Sequence, residues 1–114
     1  MKPRFNVFML KDAVDYLEKI ESKAKEKILY NLAKSQFVID KELFKKLNGN
    51  IWEFRTRYRG NSYRLFAFWD HTDGADTIVI VTHGILKKTQ KTPVNEIEIA
   101  EKLRVLYFKN KTSN

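Results

Sequence analysis

Apolar and polar residues alternate most regularly between residues 51 and 69, IWEFRTRYRGNSYRLFAFW. Successive side chains of a strand point to opposite faces, so this stretch sorts into two sets. Gly60-Asn61 lies near its middle and favours the positive φ angles of a two-residue hairpin turn. With that pair at the centre of the turn, Tyr58 is expected opposite Tyr63, Arg57 opposite Arg64, Arg55 opposite Phe66 and Trp52 opposite Trp69. One face then carries Trp52, Phe54, Thr56, Tyr58, Tyr63, Leu65, Ala67 and Trp69, nearly all apolar, and should lie on the core. The other carries Glu53, Arg55, Arg57, Arg59, Ser62, Arg64, Phe66 and Phe68. A one-residue slip would mix the two sets, which argues for a register that keeps them apart.

The flanking segments supply a strand, helices and a further strand. Residues 4–10 alternate Phe5, Val7 and Met9 with Asn6, Phe8 and Leu10, as a strand does. Residues 12–34 read as a helix capped by Asp12, with Ala13, Leu17, Ile20, Ala24, Ile28 and Leu32 tracing one stripe at helical spacing. A second, short helix is expected over 40–47, capped by Asp40 and ended by Asn48-Gly49-Asn50, with Leu43, Phe44 and Leu47 inward. The two helices would form an αα-hairpin on the apolar sheet face. A polar loop follows at 70–76. Residues 77–83 read as an inner strand, because Ile78-Val79-Ile80-Val81 is apolar on both faces. Thr92-Pro93 is a helix start, followed by Ile97, Ala100, Leu103, Arg104 and Tyr107 at helical spacing. The tail at 109–114 reads as frayed. The expectation is one α+β domain over residues 1–114: an N-terminal strand and αα-hairpin, an antiparallel three-strand meander, and a C-terminal helix near the basic edge.

Charge changes the picture of the second face. The 114 residues hold 22 Lys and Arg against 14 Asp and Glu, a formal net charge of +8, which points to a polyanionic partner. An opposed Arg57–Arg64 pair would be repulsive on a bare sheet, and an anion between the two would relieve it. Guanidinium forks match phosphate oxygens, and Phe66 and Phe68 beside them would suit unstacked bases. Lys87, Lys88 and Lys91 lead towards the C-terminal helix and would add a basic arm, with free N–H groups at the helix start.

Several other chemistries lack their residues, and although Ser, His and Asp are all present, nothing in their spacing points to a catalytic triad. There is no cysteine, so thiol chemistry and disulfides are excluded. His71 and His83 are the two histidines, without metal-ligand spacing or an accompanying carboxylate cluster. There is no Gly-rich phosphate loop, no apolar run of membrane-spanning length and no signal-peptide pattern, so no cofactor, no metal, no membrane and a cytoplasmic location are expected. Metal-free cleavage of RNA by its own 2′-hydroxyl fits what remains. Arginines would hold the phosphorane charge, and a desolvated lysine, a histidine or Glu53 would move protons.

Three blocks in order carry a resemblance. Leu47-Asn48-Gly49-Asn50-Ile51-Trp52-Glu53-Phe54-Arg55, then Tyr63-Arg64, then Thr82-His83-Gly84-Ile85-Leu86-Lys87-Lys88-Thr89-Gln90-Lys91-Thr92-Pro93 resemble the phage-derived Gp49-like (HigB-type) branch of the RelE/ParE toxin superfamily. The resemblance implies the toxin of a type II toxin–antitoxin pair: a metal-independent, ribosome-dependent messenger RNA endoribonuclease that blocks translation. A cognate helix-turn-helix antitoxin would neutralise it. It implies catalytic roles for Arg55, Arg57, Arg64, Lys87, Lys88 and His83. RNA contacts are expected at Arg59, Phe66, Phe68 and Lys91. Glu53 stands where some members of the superfamily have lysine. The alternatives are a gyrase-poisoning toxin of the ParE type and a non-catalytic nucleic-acid-binding module.

Overall fold

The central hairpin forms, two residues out of the expected register. In the computed structural model, which describes residues 2–72, 74, 77–87 and 93–112, β3 (Ile51–Tyr58) pairs antiparallel with β4 (Asn61–Asp70). The turn is centred on Arg59-Gly60, with φ of 50° and 79°. Both central residues of a type I′ turn need positive φ, and Gly takes the second place there, as in the favoured Asn-Gly pair. Arg55 therefore faces Arg64, Arg57 faces Ser62 and Trp52 faces Ala67. The expected opposition of Arg57 and Arg64 is corrected accordingly. Two residues is the strand period, so every side chain keeps its predicted face.

The meander continues into β5 (Ile78–Lys87), which extends past the expected end at His83. Two more strands complete a five-stranded sheet in the order β1-β5-β4-β3-β2. β1 (Asn6–Met9) lies parallel to β5, with Asn6 against Ile78 and Met9 against Val81. β2 (Phe44–Asn48) lies antiparallel to β3, with Phe44 against Phe54. The short helix expected at 40–47 is thus replaced by a turn and a strand. Asp40 does act locally, its Oδ1 accepting from the Glu42 N–H at 2.9 Å. Pairing with β3 then overrides the helix propensity of the lysines and Leu47. Phe44 enters the main core and Leu47 packs on the other side of the sheet, as strand residues do.

The long helix expected at 12–34 is two helices, α1 (Lys11–Lys19) and α2 (Ser22–Ser35), broken where Ile20 and Glu21 are extended. The break keeps the predicted stripe intact: Ala13, Leu17, Ala24, Ile28 and Leu32 are all buried in one cluster with Phe54, Tyr63, Leu65, Ala67, Val79 and Val81. It lets α1 lie on β5 while α2 crosses to β3, which one straight rod would not do. Asp12 does not cap α1. The cap residue is Leu10, whose N–H still donates to Val81 O at 2.9 Å as an extension of the sheet.

The opposite sheet face is covered in part by α3 (Val94–Thr112). Ile51, Phe66, Phe68, Ile80 and Ala100 form a second buried cluster, with Ile97, Tyr107 and Phe108 packed on it. The helix persists to Thr112, within the stretch 109–114 expected to be frayed, of which residues 113 and 114 lie outside the described residues. Asp70, at the end of β4, explains why. Its Oδ2 accepts from Tyr107 OH at 2.6 Å and Lys111 Nζ at 2.8 Å, and its Oδ1 from Thr72 N and Oγ1. Burial opposes charge on Asp70, but the bonds from Lys111, Tyr107 and Thr72 outweigh it and hold the carboxyl well below its usual range.

Candidate functional site

Registers on both sides of β4 lay the second face out in rows. Arg57, Ser62 and Lys87 form the row nearest the β3–β4 turn. Arg55, Arg64 and Ile85 form the next, and Lys45, Glu53, Phe66 and His83 the third. Phe68 and Ile80 follow, under α3. The face is therefore basic at the turn end and apolar at the helix end.

A bulge in β5 makes the first rows possible. Phe66 pairs with His83 but Ala67 pairs with Val81, so Thr82 is an extra residue. Strict alternation from Val79 and Val81 would send His83, Ile85 and Lys87 to the core face. The bulge resets the alternation and brings them beside the arginines, a placement bulges often serve. Thr82 Oγ1 bonds at 3.2 Å to Phe66 O and lies 2.9 Å from His83 Nδ1. Past the bulge, Gly84 runs under α1: a Cβ there would come within 2.8 Å of three Tyr16 ring atoms. Tyr16 OH donates to Ile85 O at 2.8 Å, and burial raises its pKa.

Polarity is graded from rim to floor. Arg57 and Arg59 are exposed and Arg55 is half-buried, while Arg64, Lys87 and Glu53 are buried. Arg64 Nη1 lies 3.1 Å from Glu53 Oε1, and its Nε donates to Ser62 Oγ at 2.9 Å. Burial lowers the Arg64 pKa against the pull of Glu53, yet guanidinium remains charged. Arg55 Nε is buried and has no hydrogen-bond partner among the described residues. Burial also pushes the Lys87 pKa down, helped by Arg64, Arg55 and Lys45, while Glu53 pulls it up.

Arg55, Arg57, Arg64 and Lys87 are thus brought together. Arg59 sits apart at the turn, beside Glu21 at 3.4 Å and over the Tyr58 ring. Phe66 and Phe68 have no exposed surface and lie beneath α3, so the stacking role expected of them is corrected: they are core. His83 is half-buried, stacked on Phe66 at 4.9 Å and facing Glu96 of α3 with Nε2 3.8 Å from Oε1. Burial lowers its pKa, with Glu96 and Asp12 acting in the other direction. That position ties β5 to α3 and lies two rows from Lys87. Lys88 and Lys91 lie outside the described residues.

Ser62 and Lys45 join the site without having been singled out. Alternation puts Ser62 on this face, but a small polar residue carries no distinguishing signal, and the helix expected over β2 hides Lys45. Among the described residues no three His, Asp or Glu side chains gather as a metal site, and no helix is long and apolar enough to cross a membrane.

No curated protein matches this chain. The phage-derived Gp49-like protein family (DUF891) matches residues 15–108, which include the whole hairpin, both α2 and β5, and most of α3. The chain belongs to that Gp49-like family, a branch of the RelE/ParE-like toxins.

Proposed function

We propose that this protein is the toxin of a type II toxin–antitoxin pair and a metal-independent endoribonuclease that cuts messenger RNA on the ribosome. The observation that carries the reading is the Arg55–Arg64 opposition across β3 and β4, with the buried Arg55 Nε lacking a partner among the described residues. Two cations held side by side, one with a donor to spare, suit a phosphate. Family membership and the net charge of +8 support the same reading. Arg57 would meet the RNA backbone at the rim. Arg55 and Arg64 would stabilise charge on the phosphorus as the 2′-oxygen attacks and the 5′-oxygen leaves. The product ends would be a 2′,3′-cyclic phosphate and a 5′-hydroxyl. The proposed site of action is the cytoplasm, and the proposed neutralising partner is a helix-turn-helix antitoxin.

Induction of the protein alone tests this. Growth is expected to stop, with incorporation of amino acids falling before that of thymidine and with new 5′ ends mapping inside translated message. Loss of DNA synthesis first, with message intact, would replace this reading by gyrase poisoning.

A further inference from the structure

The end of the sheet away from the basic rows holds a second cluster of cations and rings. There β2 and the start of β3 meet the end of β4 and α3 around a cavity of about 470 Å³. Trp52, Trp69, His71 and Phe108 give it aromatic walls, and Lys46 and Arg104 give it positive charge. Trp69 lies five residues past Arg64 on β4, about 17 Å of strand, and on the opposite face by alternation. The cavity is therefore separate from the proposed cleavage site.

The walls suit a flat ligand. His71 lies parallel to Trp69, with ring centroids 5.6 Å and planes 8° apart, while Trp52 meets Trp69 edge-on at 5.5 Å. Arg104 sits over the Phe108 ring at 5.4 Å. Trp52 and Trp69 also pack on the main core, but closing off the end of a core takes apolar contact alone. It calls for neither cation, nor for an exposed His71. Lys46 is exposed too, and it has no ion pair among the described residues. Arg104 bonds Glu101 through Nη1 at 2.9 Å. The carboxylate of nearby Asp70 is taken up by Tyr107, Lys111 and Thr72. Among the described residues no Asp or Glu lines the cavity. Rings without a base stacked on them and cations without an acid between them together fit a planar anion.

We infer that this cavity binds a nucleotide, with its base against the Trp69–His71 wall and its phosphate at Lys46 and Arg104. A free mononucleotide and one unstacked nucleotide of an RNA strand offer the same chemistry. No residue of the site belongs to the basic rows, so it adds a binding function to the cleavage proposed there.

Trp52 and Trp69 are the two tryptophans of the chain, so intrinsic fluorescence reads this site directly. The probes are AMP, GMP, ribose 5-phosphate and a short 2′-O-methyl RNA, which lacks the hydroxyl that cleavage needs. A nucleotide, free or in the RNA, should quench the emission saturably. Ribose 5-phosphate, which has the phosphate without the base, should not. Lys46→Ala should weaken binding by about tenfold through a lost charged contact. His71→Ala should weaken it by about fivefold or more through lost stacking. Both side chains are exposed, so both variants should melt near wild type. Lys23→Ala, an equal loss of charge at an exposed position of α2, should bind as wild type does. Quenching by AMP or GMP makes a free nucleotide a ligand in its own right; quenching by the RNA alone makes the ligand a nucleotide of the strand. The proposal is overturned if no probe quenches saturably, if ribose 5-phosphate matches the nucleotides, or if either Lys46→Ala or His71→Ala leaves binding unchanged. None of the probes is cut, so the outcome is independent of the nuclease reading. A protein that cleaves message and shows no quenching would keep that reading and lose this one.

Discussion

Arg64 shows how far burial changes the meaning of a residue. Read as one of two repelling surface arginines, it could be removed without loss of stability. In the structure it exposes 4% of its surface and neutralises a carboxylate that exposes none. Breaking a buried pair from one side leaves the other charge uncompensated, at a cost of about 3–5 kcal/mol. Arg64→Ala should therefore melt much earlier than wild type. Exposed Arg57→Ala should melt with it. Equal melting temperatures for wild type and Arg64→Ala would show that Glu53 does not depend on Arg64. The face of each of these residues was legible in the sequence, because alternation survives a two-residue shift. Their partners were not, because the choice between Arg59-Gly60 and Gly60-Asn61 as turn centre rests on one arginine adopting φ of 50°. Burial was the least legible property. Phe66 and Phe68 look the same to the eye as stacking platforms and as core, and only the path of α3 decides between them.

At the level of elements, the fold was readable where the signal was periodic and hidden where it depended on distant pairing. The apolar stripe from Ala13 to Leu32 survives a break that leaves its register on the core unchanged. The strand at Phe44 carried no strand pattern of its own and exists because β3 offers it an edge. The Thr82 bulge had no signal at all, since the residue that interrupts β5 is itself a good strand former. Asp70 joins two elements whose association the sequence also left unstated. Its folded pKa is lowered, so its contribution is complete above the unfolded value near 3.9 and is lost as pH falls below about 4. Asp70→Asn should lower stability at neutral pH by about 1–3 kcal/mol, through Tyr107 and Lys111 losing a charged acceptor. Unfolding followed by circular dichroism should then lose part of its acid dependence between pH 5 and 3 in the variant. An unchanged acid profile would mean the tie between β4 and α3 carries little.

The whole molecule divides one sheet face between two tasks. α3 covers its apolar end, while the turn end keeps Arg55, Arg57, Arg64 and Lys87 together on a chain of net charge +8. Binding to single-stranded RNA should weaken with salt, by a slope of roughly −0.7 in log K against log salt for each phosphate neutralised. Arg57→Ala should flatten that slope by about one such increment. Anisotropy titrations at several salt concentrations measure it. A slope untouched by Arg57→Ala would take the rim arginine out of the contact.

The order of synthesis gives the helix cover another consequence. β1 is made before the other strands of the sheet, yet its partner β5 begins 72 residues later, at Ile78 against Asn6. α3 follows every strand of the sheet in the chain and leaves the ribosome after them. While it is still being made, β3 and β4 can already pair, and Phe66 and Phe68 have nothing over them. Each nascent chain therefore passes through a stage with its β3–β4 hairpin able to form and the apolar end of that hairpin bare, a stage that ends when Tyr107 and Lys111 come off the ribosome to meet Asp70. A message cut short before those codons would yield a sheet that stays bare, and an aggregation-prone product in place of the native fold.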